Sequence, residues 1–114
     1  MSRRDDRVSL VDMLIHAEEA VVLLGEATLN DLVEDRVKQL ALRKLVEVVG
    51  EAAKRVSEGT QQQYAAIPWS QIIGLRNRLV HGYDDVDLGI LWEIIQADLP
   101  PLIEQLKAIV GEET

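Results

Sequence analysis

Apolar residues in this chain recur at steps of three and four over long stretches, and this spacing limits the fold more than any other feature. Steps of that size place side chains on one face of an α-helix, whereas a half-buried strand alternates apolar and polar residues. No segment shows sustained alternation, and only 4% of the residues are aromatic. The sequence therefore predicts an all-α protein.

Four main helices are predicted, at about residues 7–26, 29–57, 68–81 and 88–110. The apolar stripe of the first helix consists of Leu10, Leu14, Ala17, Val21 and Leu24, and that of the second consists of Val33, Val37, Ala41, Leu45, Val48, Ala52 and Val56. Amphipathic helices with short connections favour an up-and-down bundle. A chain of 114 residues fits a single domain, residues 1–114.

Local signals mark the ends and irregularities of the second helix. Thr28 is a suitable N-cap, and Asp31 completes a capping-box-like start. Gly50 interrupts the helix and predicts a close crossing by another helix, because glycine lets backbones approach. The polar stretch from Ser57 to Gln63 is expected to end this helix and to link it to the third.

The fourth helix is expected to follow a turn and to be irregular. Asp84, Asp85 and Asp87 supply the turn and a cap for the helix start. Pro100 and Pro101 fall inside the helical span, and proline lacks the N–H that an interior position requires. The two prolines must therefore kink the last helix or split it into two pieces.

Charge is distributed unevenly along the chain, whose net charge is −8. Residues 1–83 carry 11 Lys and Arg against 12 Asp and Glu, whereas residues 84–114 carry one Lys against 8 acids. The net charge argues against broad, charge-driven binding of nucleic acid. Two alternatives stay open: a small basic site that acts on RNA locally, and an acidic surface that serves a basic protein partner.

The composition also limits the kinds of site and compartment. The chain has no cysteine, which excludes disulfides and thiolate metal sites and fits a cytoplasmic protein. His16 and His81 are the only histidines and are far apart in sequence, so no metal site is expected. The apolar runs are broken by charges and are too short to span a bilayer, so no membrane association is expected.

The stretch most suited to chemistry is Arg76-Asn77-Arg78-Leu79-Val80-His81-Gly82-Tyr83. Arginine binds phosphate through a planar fork of donors, and histidine moves protons near neutral pH, so the pattern suits phosphodiester chemistry without a metal or cofactor. Arg78 is a neighbouring phosphate-binding candidate, three residues before His81.

The motif is predicted to lie on the third helix. There Asn77 and His81 would share a face, and His81 would lie in the last turn, where the helix dipole favours its protonated form. Arg76 would lie off that face. Its side chain could reach round the helix, or two copies of the chain could meet and build a composite site on a two-fold axis. The alternative without chemistry is a solvated Arg-rich helix face.

The motif and its flanks resemble the HepT-like toxin group of HEPN-domain proteins. Arg76, His81 and Tyr83 match the R-x4-H-x-Y motif of that group. The flanking matches are Gly50-Glu51-Ala52-Ala53, Ile67-Pro68-Trp69, Trp92 and Asp98-Leu99-Pro100, in the family order. Together they extend from about Thr28 to Val110, which makes the conjunction more specific than the short motif alone.

The resemblance implies a helical, homodimeric, metal-independent endoribonuclease that acts as a toxin. It makes Arg76 and His81 the catalytic pair, with Asn77 as the supporting polar residue, and the 2′-hydroxyl of RNA as the nucleophile. The implied partner is an MntA-like nucleotidyltransferase antitoxin, which neutralises the toxin by AMPylation of Tyr83. A larger hetero-oligomer with the antitoxin would also fit.

Two other functions are compatible with the sequence. In the first, the chain is a non-catalytic subunit of a nucleotidyltransferase complex and binds a nucleotide or nucleic acid. In the second, it is a structural helical dimer whose motif is ordinary surface. Tolerance of substitutions at Arg76 and His81 would favour the structural alternative, and binding without turnover would favour the first.

Overall fold

The computed structural model describes residues 3–82 and 85–112. Its elements are α1 (Arg3–Leu24), α2 (Leu29–Val33), α3 (Arg36–Arg55), α4 (Glu58–Gln63), α5 (Trp69–Ile73), α6 (Leu75–Leu79), β1 (Val80–His81), β2 (Asp85–Val86), α7 (Leu88–Glu93), a π-helical turn (Ile94–Asp98) and α8 (Leu99–Glu112). The strands form a small antiparallel hairpin. The predicted all-α class is confirmed, whereas the predicted homodimer stays a prediction.

The core lies where α1 packs along α3 and α8. The buried apolar side chains of α1 are Leu10, Met13, Ala17, Ala20 and Leu24, and those of α8 are Leu99, Leu102, Ile103, Leu106 and Ile109. Both sets repeat at steps of three and four, as helices that bury one face require. Full burial of each large aliphatic side chain contributes about 1.5–3 kcal/mol to folding.

The predicted second helix is two helices, because the chain turns at Glu34 and Asp35. Asp35 is the N-cap of α3 and accepts a hydrogen bond from the backbone N–H of Lys38 at 3.0 Å. The side-chain amide of Gln39 donates to the carbonyls of Leu32 and Val33, at 2.9 and 3.0 Å, and so binds the end of α2. The single helix over residues 29–57 was therefore a wrong prediction.

The break also changes which residues of this region are buried. Val33 and Val37 were predicted in the apolar stripe but are 49% and 76% exposed. The two helices do not share one face across the turn. The buried side of α3 is instead formed by Leu42, Val46, Val49, Gly50, Ala52 and Ala53.

The polar stretch after α3 was predicted as a link but contains the short helix α4. Asp6 of α1 stabilises its start by accepting hydrogen bonds from the backbone N–H of Ser57 at 2.9 Å and from the hydroxyl of Thr60 at 2.6 Å. Asp6 is buried. This carboxylate therefore links the beginning of α1 to the end of α3.

Two predicted irregularities are present. A Cβ on Gly50 would lie 3.0 Å from the carbonyl oxygen of Ile72, so α5 crosses α3 closely at the glycine, as predicted. Before Pro100 and Pro101 the last helix widens into the π-helical turn, in which the N–H of Leu99 bonds to the carbonyl of Ile94. The prolines offer no N–H, and the wider turn accommodates that loss without ending the helix.

Candidate active site

The predicted third helix is shorter than expected and is interrupted. It starts at Trp69, breaks at Gly74 between α5 and α6, and ends at Leu79. The next two residues form β1, so His81 does not lie in a last helical turn. The predicted shared face with Asn77 and the stabilisation of protonated His81 by the helix dipole were therefore wrong.

A hairpin replaces the end of that helix for identifiable reasons. Val80 pairs with Val86 and His81 pairs with Asp85, and β-branched valines favour extended backbone. Gly82 has φ +62°, a left-handed conformation that glycine adopts without strain, so the chain turns there. Only the backbone of His81 is described, and the predicted modification site Tyr83 and the turn residue Asp84 lie outside the described residues.

The polar residues of the motif lie on the outer side of α6. Leu75 and Leu79 are four residues apart and buried, so they anchor one face of this helix in the core. Arg76, Asn77 and Arg78 lie between them and are exposed. The backbone N–H of Val80 bonds to the carbonyl of Arg76, so the strand that carries His81 continues directly from the helix. The motif residues are thus held close together at the junction between helix and strand.

The two arginines of the motif have different surroundings. Nη1 of Arg78 donates to Oδ2 of Asp98 at 2.6 Å, which links α6 to the π-helical turn. Arg76 has no ion-pair partner within residues 3–82 and 85–112. Within the described part of the chain, Arg78 is therefore the arginine held in an ion pair and Arg76 is not, and the predicted phosphate-binding role of Arg78 stays a prediction.

Asp98 contacts the motif in a way that the sequence did not predict. Asp98 was noted only as part of a flanking match, and in the structure it forms an ion pair with Arg78. Nothing in the spacing of residues 78 and 98 signals this contact, because it depends on how the last helix crosses α6. A cavity of about 420 Å³ lies at this pair and is lined also by Ser70, Gln71 and Gly74.

Both tryptophans have structural roles. The indole N–H of Trp69 donates to the carbonyl of Tyr64 at 3.1 Å, and that of Trp92 donates to the carbonyl of Ala27 at 3.1 Å. Trp69 is buried in the core, and the partly buried Trp92 packs against the core. The two rings therefore hold the fold together.

No helix in the described ranges is both long and apolar enough to cross a bilayer.

Comparison with known proteins identifies relatives along nearly the whole chain. A family model described as "Ribonuclease HepT-like" matches residues 13–109. "Putative RNase MJ1380" of Methanocaldococcus jannaschii is 27% identical over 109 residues, which cover 96% of this chain and 100% of the relative. "Putative RNase TTE0752" of Caldanaerobacter subterraneus is 34% identical over 107 residues, with coverage of 94% and 96%. "Probable ribonuclease HepT" of Thermococcus cleftensis is 32% identical over 95 residues, with coverage of 80% and 86%. No solved structure matches the chain significantly.

Proposed function

Because the chain belongs to the ribonuclease HepT-like family, we propose that it is an endoribonuclease that cleaves RNA at Arg76 and His81 and acts as the toxin of a toxin–antitoxin pair. The observation that carries the assignment to these residues is the exposed side chain of Arg76, which has no ion-pair partner among the described residues and lies one short turn before the strand of His81. A guanidinium beside an imidazole-bearing strand is suited to binding a phosphodiester.

The proposed reaction uses a nucleophile that the substrate supplies. The 2′-hydroxyl oxygen attacks the adjacent phosphorus, its proton is removed, and the bond from phosphorus to the 5′-oxygen breaks. His81 transfers protons as general base or general acid, which suits a group with a pKa near neutrality. The products are a 2′,3′-cyclic phosphate and a 5′-hydroxyl, and no metal is needed to generate the nucleophile.

In this mechanism, Arg76 stabilises the negative charge of the transition state. Negative charge builds up on the non-bridging phosphate oxygens as the 2′-oxygen attacks, and a guanidinium fork stabilises it by two parallel hydrogen bonds. Asn77, exposed next to it, orients the phosphate or the imidazole. Arg78 supports the site through its ion pair with Asp98, which fixes α6 against the last helix.

Pairing of two copies of the chain is part of the proposal. In a symmetric dimer the same patch of each copy faces its equivalent, so two sets of Arg76 and His81 would line one cleft. This arrangement would supply a second imidazole, and one histidine could then accept a proton while the other donates one.

The proposed control of the toxin acts on Tyr83. A nucleotidyltransferase antitoxin would attach AMP to its hydroxyl, which adds a negatively charged phosphodiester and a bulky nucleoside two residues after His81. The added charge would repel the RNA backbone or occupy Arg76 in place of the substrate phosphate. Either effect would prevent cleavage.

The nuclease assignment is tested by digestion of a structured RNA with the wild-type chain, Arg76→Ala and His81→Ala. We expect cleavage by the wild type, with 2′,3′-cyclic phosphate ends, and a loss of at least about 100-fold in each variant, as removal of one general acid–base group or one charge-stabilising donor produces. Arg55→Ala removes an equally exposed arginine from the end of α3 and should leave the rate unchanged.

The same experiment separates the alternatives. Equal cleavage by all variants would show that the activity belongs to a contaminant or to other residues, and would refute the proposed pair. Binding of RNA or nucleotide without any turnover by the wild type would instead support a non-catalytic binding subunit of a nucleotidyltransferase complex.

A further inference from the structure

A polar groove lies beside the motif, between the first half of α3 and strand β2. Its volume is about 480 Å³, within the range of pockets that hold small organic groups. Arg36, Gln39 and Arg43 line the wall formed by α3, and Asp85 and Val86 line the wall formed by β2. The three α3 residues are spaced by three and four, so they lie on one face of the helix.

The groove is one strand away from the proposed catalytic histidine. Asp85 in its wall is the β-ladder partner of His81, and Val86 is the partner of Val80. Paired strands lie about 4.8 Å apart. A nucleotide next to the cleaved phosphate would therefore reach the groove without a large bend in the RNA.

One wall of the groove carries hydrogen-bond donors. Arg36 is exposed and has no ion-pair partner in the part of the chain that the structure describes. Nε of Arg43 donates to Glu47 at 3.1 Å, so we count Arg36 and not Arg43 as the donor available to a ligand. The side-chain amide of Gln39 donates to two carbonyls at the end of α2, so we do not count it as a ligand group.

The opposite wall carries an acceptor, and the remaining surface is apolar. The carboxylate of Asp85 is exposed and would repel a phosphate, so a simple phosphate site is disfavoured. Leu40, which is 49% exposed, and Leu88 complete the lining. Donors and an acceptor facing each other across an apolar surface are suited to the edges and faces of a nucleobase.

Guanine is the base whose edges fit this arrangement. Its N7 and O6 accept hydrogen bonds, and arginine is their commonest partner, whereas its N2 amino group donates and fits a carboxylate. Adenine presents an amino group in place of O6 and lacks the N2 amino group. We infer that the groove between α3 and β2 binds a guanine base of the RNA substrate next to the cleavage position, an inference that rests on the proposed ribonuclease function.

The inference is tested by binding, with RNA that cannot be cleaved. The probe is a fluorescent 2′-O-methyl nonamer with a single guanine, compared by anisotropy with nonamers in which adenine or inosine replaces it. Inosine differs from guanine only in lacking the N2 amino group. We expect the full chain to bind the guanine probe about tenfold more tightly than either, as one base-specific pair of contacts provides. The preference over inosine should be reduced in Asp85→Asn, which keeps only a neutral carbonyl acceptor for the N2 amino group. The preference over adenine should be reduced in Arg36→Ala, and both preferences should be retained in Arg55→Ala.

Several outcomes would overturn the inference. Tighter binding of all three probes by Asp85→Asn would identify a phosphate site, because removal of a negative charge strengthens phosphate binding. Equal binding of the three probes by the wild type would exclude a base site. Unlabelled guanosine monophosphate that binds as tightly as the guanine probe would identify a free nucleotide as the ligand. Melting curves of Asp85→Asn and Arg36→Ala confirm that each variant is folded.

Failure of the nuclease and failure of the groove are distinguishable. The probes lack the 2′-hydroxyl nucleophile, so their binding does not depend on catalysis. A guanine preference without cleavage of ordinary RNA would support the groove and refute the nuclease. Cleavage of ordinary RNA with no preference for sites next to guanine would support the nuclease and refute the groove.

Discussion

Replacement of Asp6 by alanine should destabilise the protein strongly, although Asp6 lies outside the proposed site. Asp6 is only 4% exposed, and its carboxylate accepts three hydrogen bonds, from the backbone N–H and hydroxyl of Ser57 and from the hydroxyl of Thr60, at 2.9, 2.6 and 2.6 Å. A hydrogen bond to a charged group contributes about 1.5–3 kcal/mol. The hydroxyls can rotate and water can enter the space, so we expect a total loss of about 3 kcal/mol.

This loss should appear as a lower melting temperature. The entropy of unfolding is about 2.1 cal/mol/K per residue, which for 114 residues makes 3 kcal/mol equivalent to about 12 °C. Far-UV circular dichroism measures the transition. Glu19→Ala removes an exposed acid from the same helix and should change the melting temperature by less than about 2 °C.

The difference between wild type and Asp6→Ala should depend on pH. Burial alone would raise the pKa of Asp6, but the hydrogen bonds from Ser57 and Thr60 outweigh it and hold the pKa below its ordinary value of 3.8. A carboxylate with a lowered pKa in the folded state stabilises the protein fully above its unfolded pKa, and that stabilisation disappears as the pH falls through the folded pKa. The difference should therefore be complete at pH 7 and should shrink below about pH 4.

Two results would contradict the argument about Asp6. The first is a difference at pH 7 of less than about 3 °C, which would mean that the three hydrogen bonds contribute little. The second is a difference that is the same at pH 3 as at pH 7. Asp6→Asn keeps one carbonyl acceptor for the N–H of Ser57 but has no charge, so it should lose less stability and show little of the pH dependence.

Three further predictions concern packing, the ion pair at the motif and modification. Gly50→Ala should lower the free energy of unfolding by about 1–3 kcal/mol, because the added Cβ would lie 3.0 Å from a backbone carbonyl oxygen of α5. Gly59→Ala should raise the free energy of unfolding by up to about 1 kcal/mol, because its Cβ would have no atom within 4 Å. Melting temperatures of both variants check this, and equal effects would contradict it. A double-mutant cycle of Arg78→Ala and Asp98→Ala in urea should give a coupling below about 1 kcal/mol, because both side chains are about one-third exposed, and a larger coupling would mean that the pair is more rigid than its exposure implies. After co-expression with the nucleotidyltransferase, intact mass should increase by whole AMP units in the wild type and not in Tyr83→Phe; a mass increase in Tyr83→Phe would place the modification elsewhere.

Features that depend on local chemistry were predicted well from the sequence. The helical class follows from the spacing of apolar residues, and the capping box of Thr28 and Asp31 forms because both side chains bond to backbone groups three residues away. Asp87 caps α7 through the N–H of Ile90, as the acidic turn predicted. Gly50 marks a close helix crossing because nothing larger fits there.

Features that depend on competition between two local signals were predicted wrongly. The apolar spacing continues through Glu34 and Asp35, but the chain breaks there into two helices. Asp35 accepts a hydrogen bond from an N–H at the start of α3, and the side chain of Gln39 donates to two carbonyls at the end of α2, so both helix ends are hydrogen-bonded. At the motif, the third helix was predicted to extend to residue 81, yet the pairing of Val80 with Val86 ends the helix earlier and makes Gly82 part of the turn of a hairpin.

The residues of the candidate site were chosen from their chemistry and their roles stay predictions, whereas their geometry was not predictable. Residue types pointed to Arg76, Asn77, Arg78 and His81, because few side chains bind phosphate or transfer protons near neutral pH. The ion pair of Arg78 depends on Asp98, twenty residues later, and on the crossing of the last helix over α6. A contact between residues that far apart produces no periodic pattern in the sequence, so it cannot be predicted from residue spacing.

The π-helical turn contains one residue more than a regular α-helical turn would need to connect α7 and α8. Deletion of the exposed Gln96 would convert this turn to ordinary α geometry while α7 and α8 keep their present faces toward the core. Deletion of Glu104 in α8 would instead rotate every following side chain by about 100° and move Leu106 and Ile109 out of the core. Among natural homologues, length variation within the last helix should therefore be confined to this one turn.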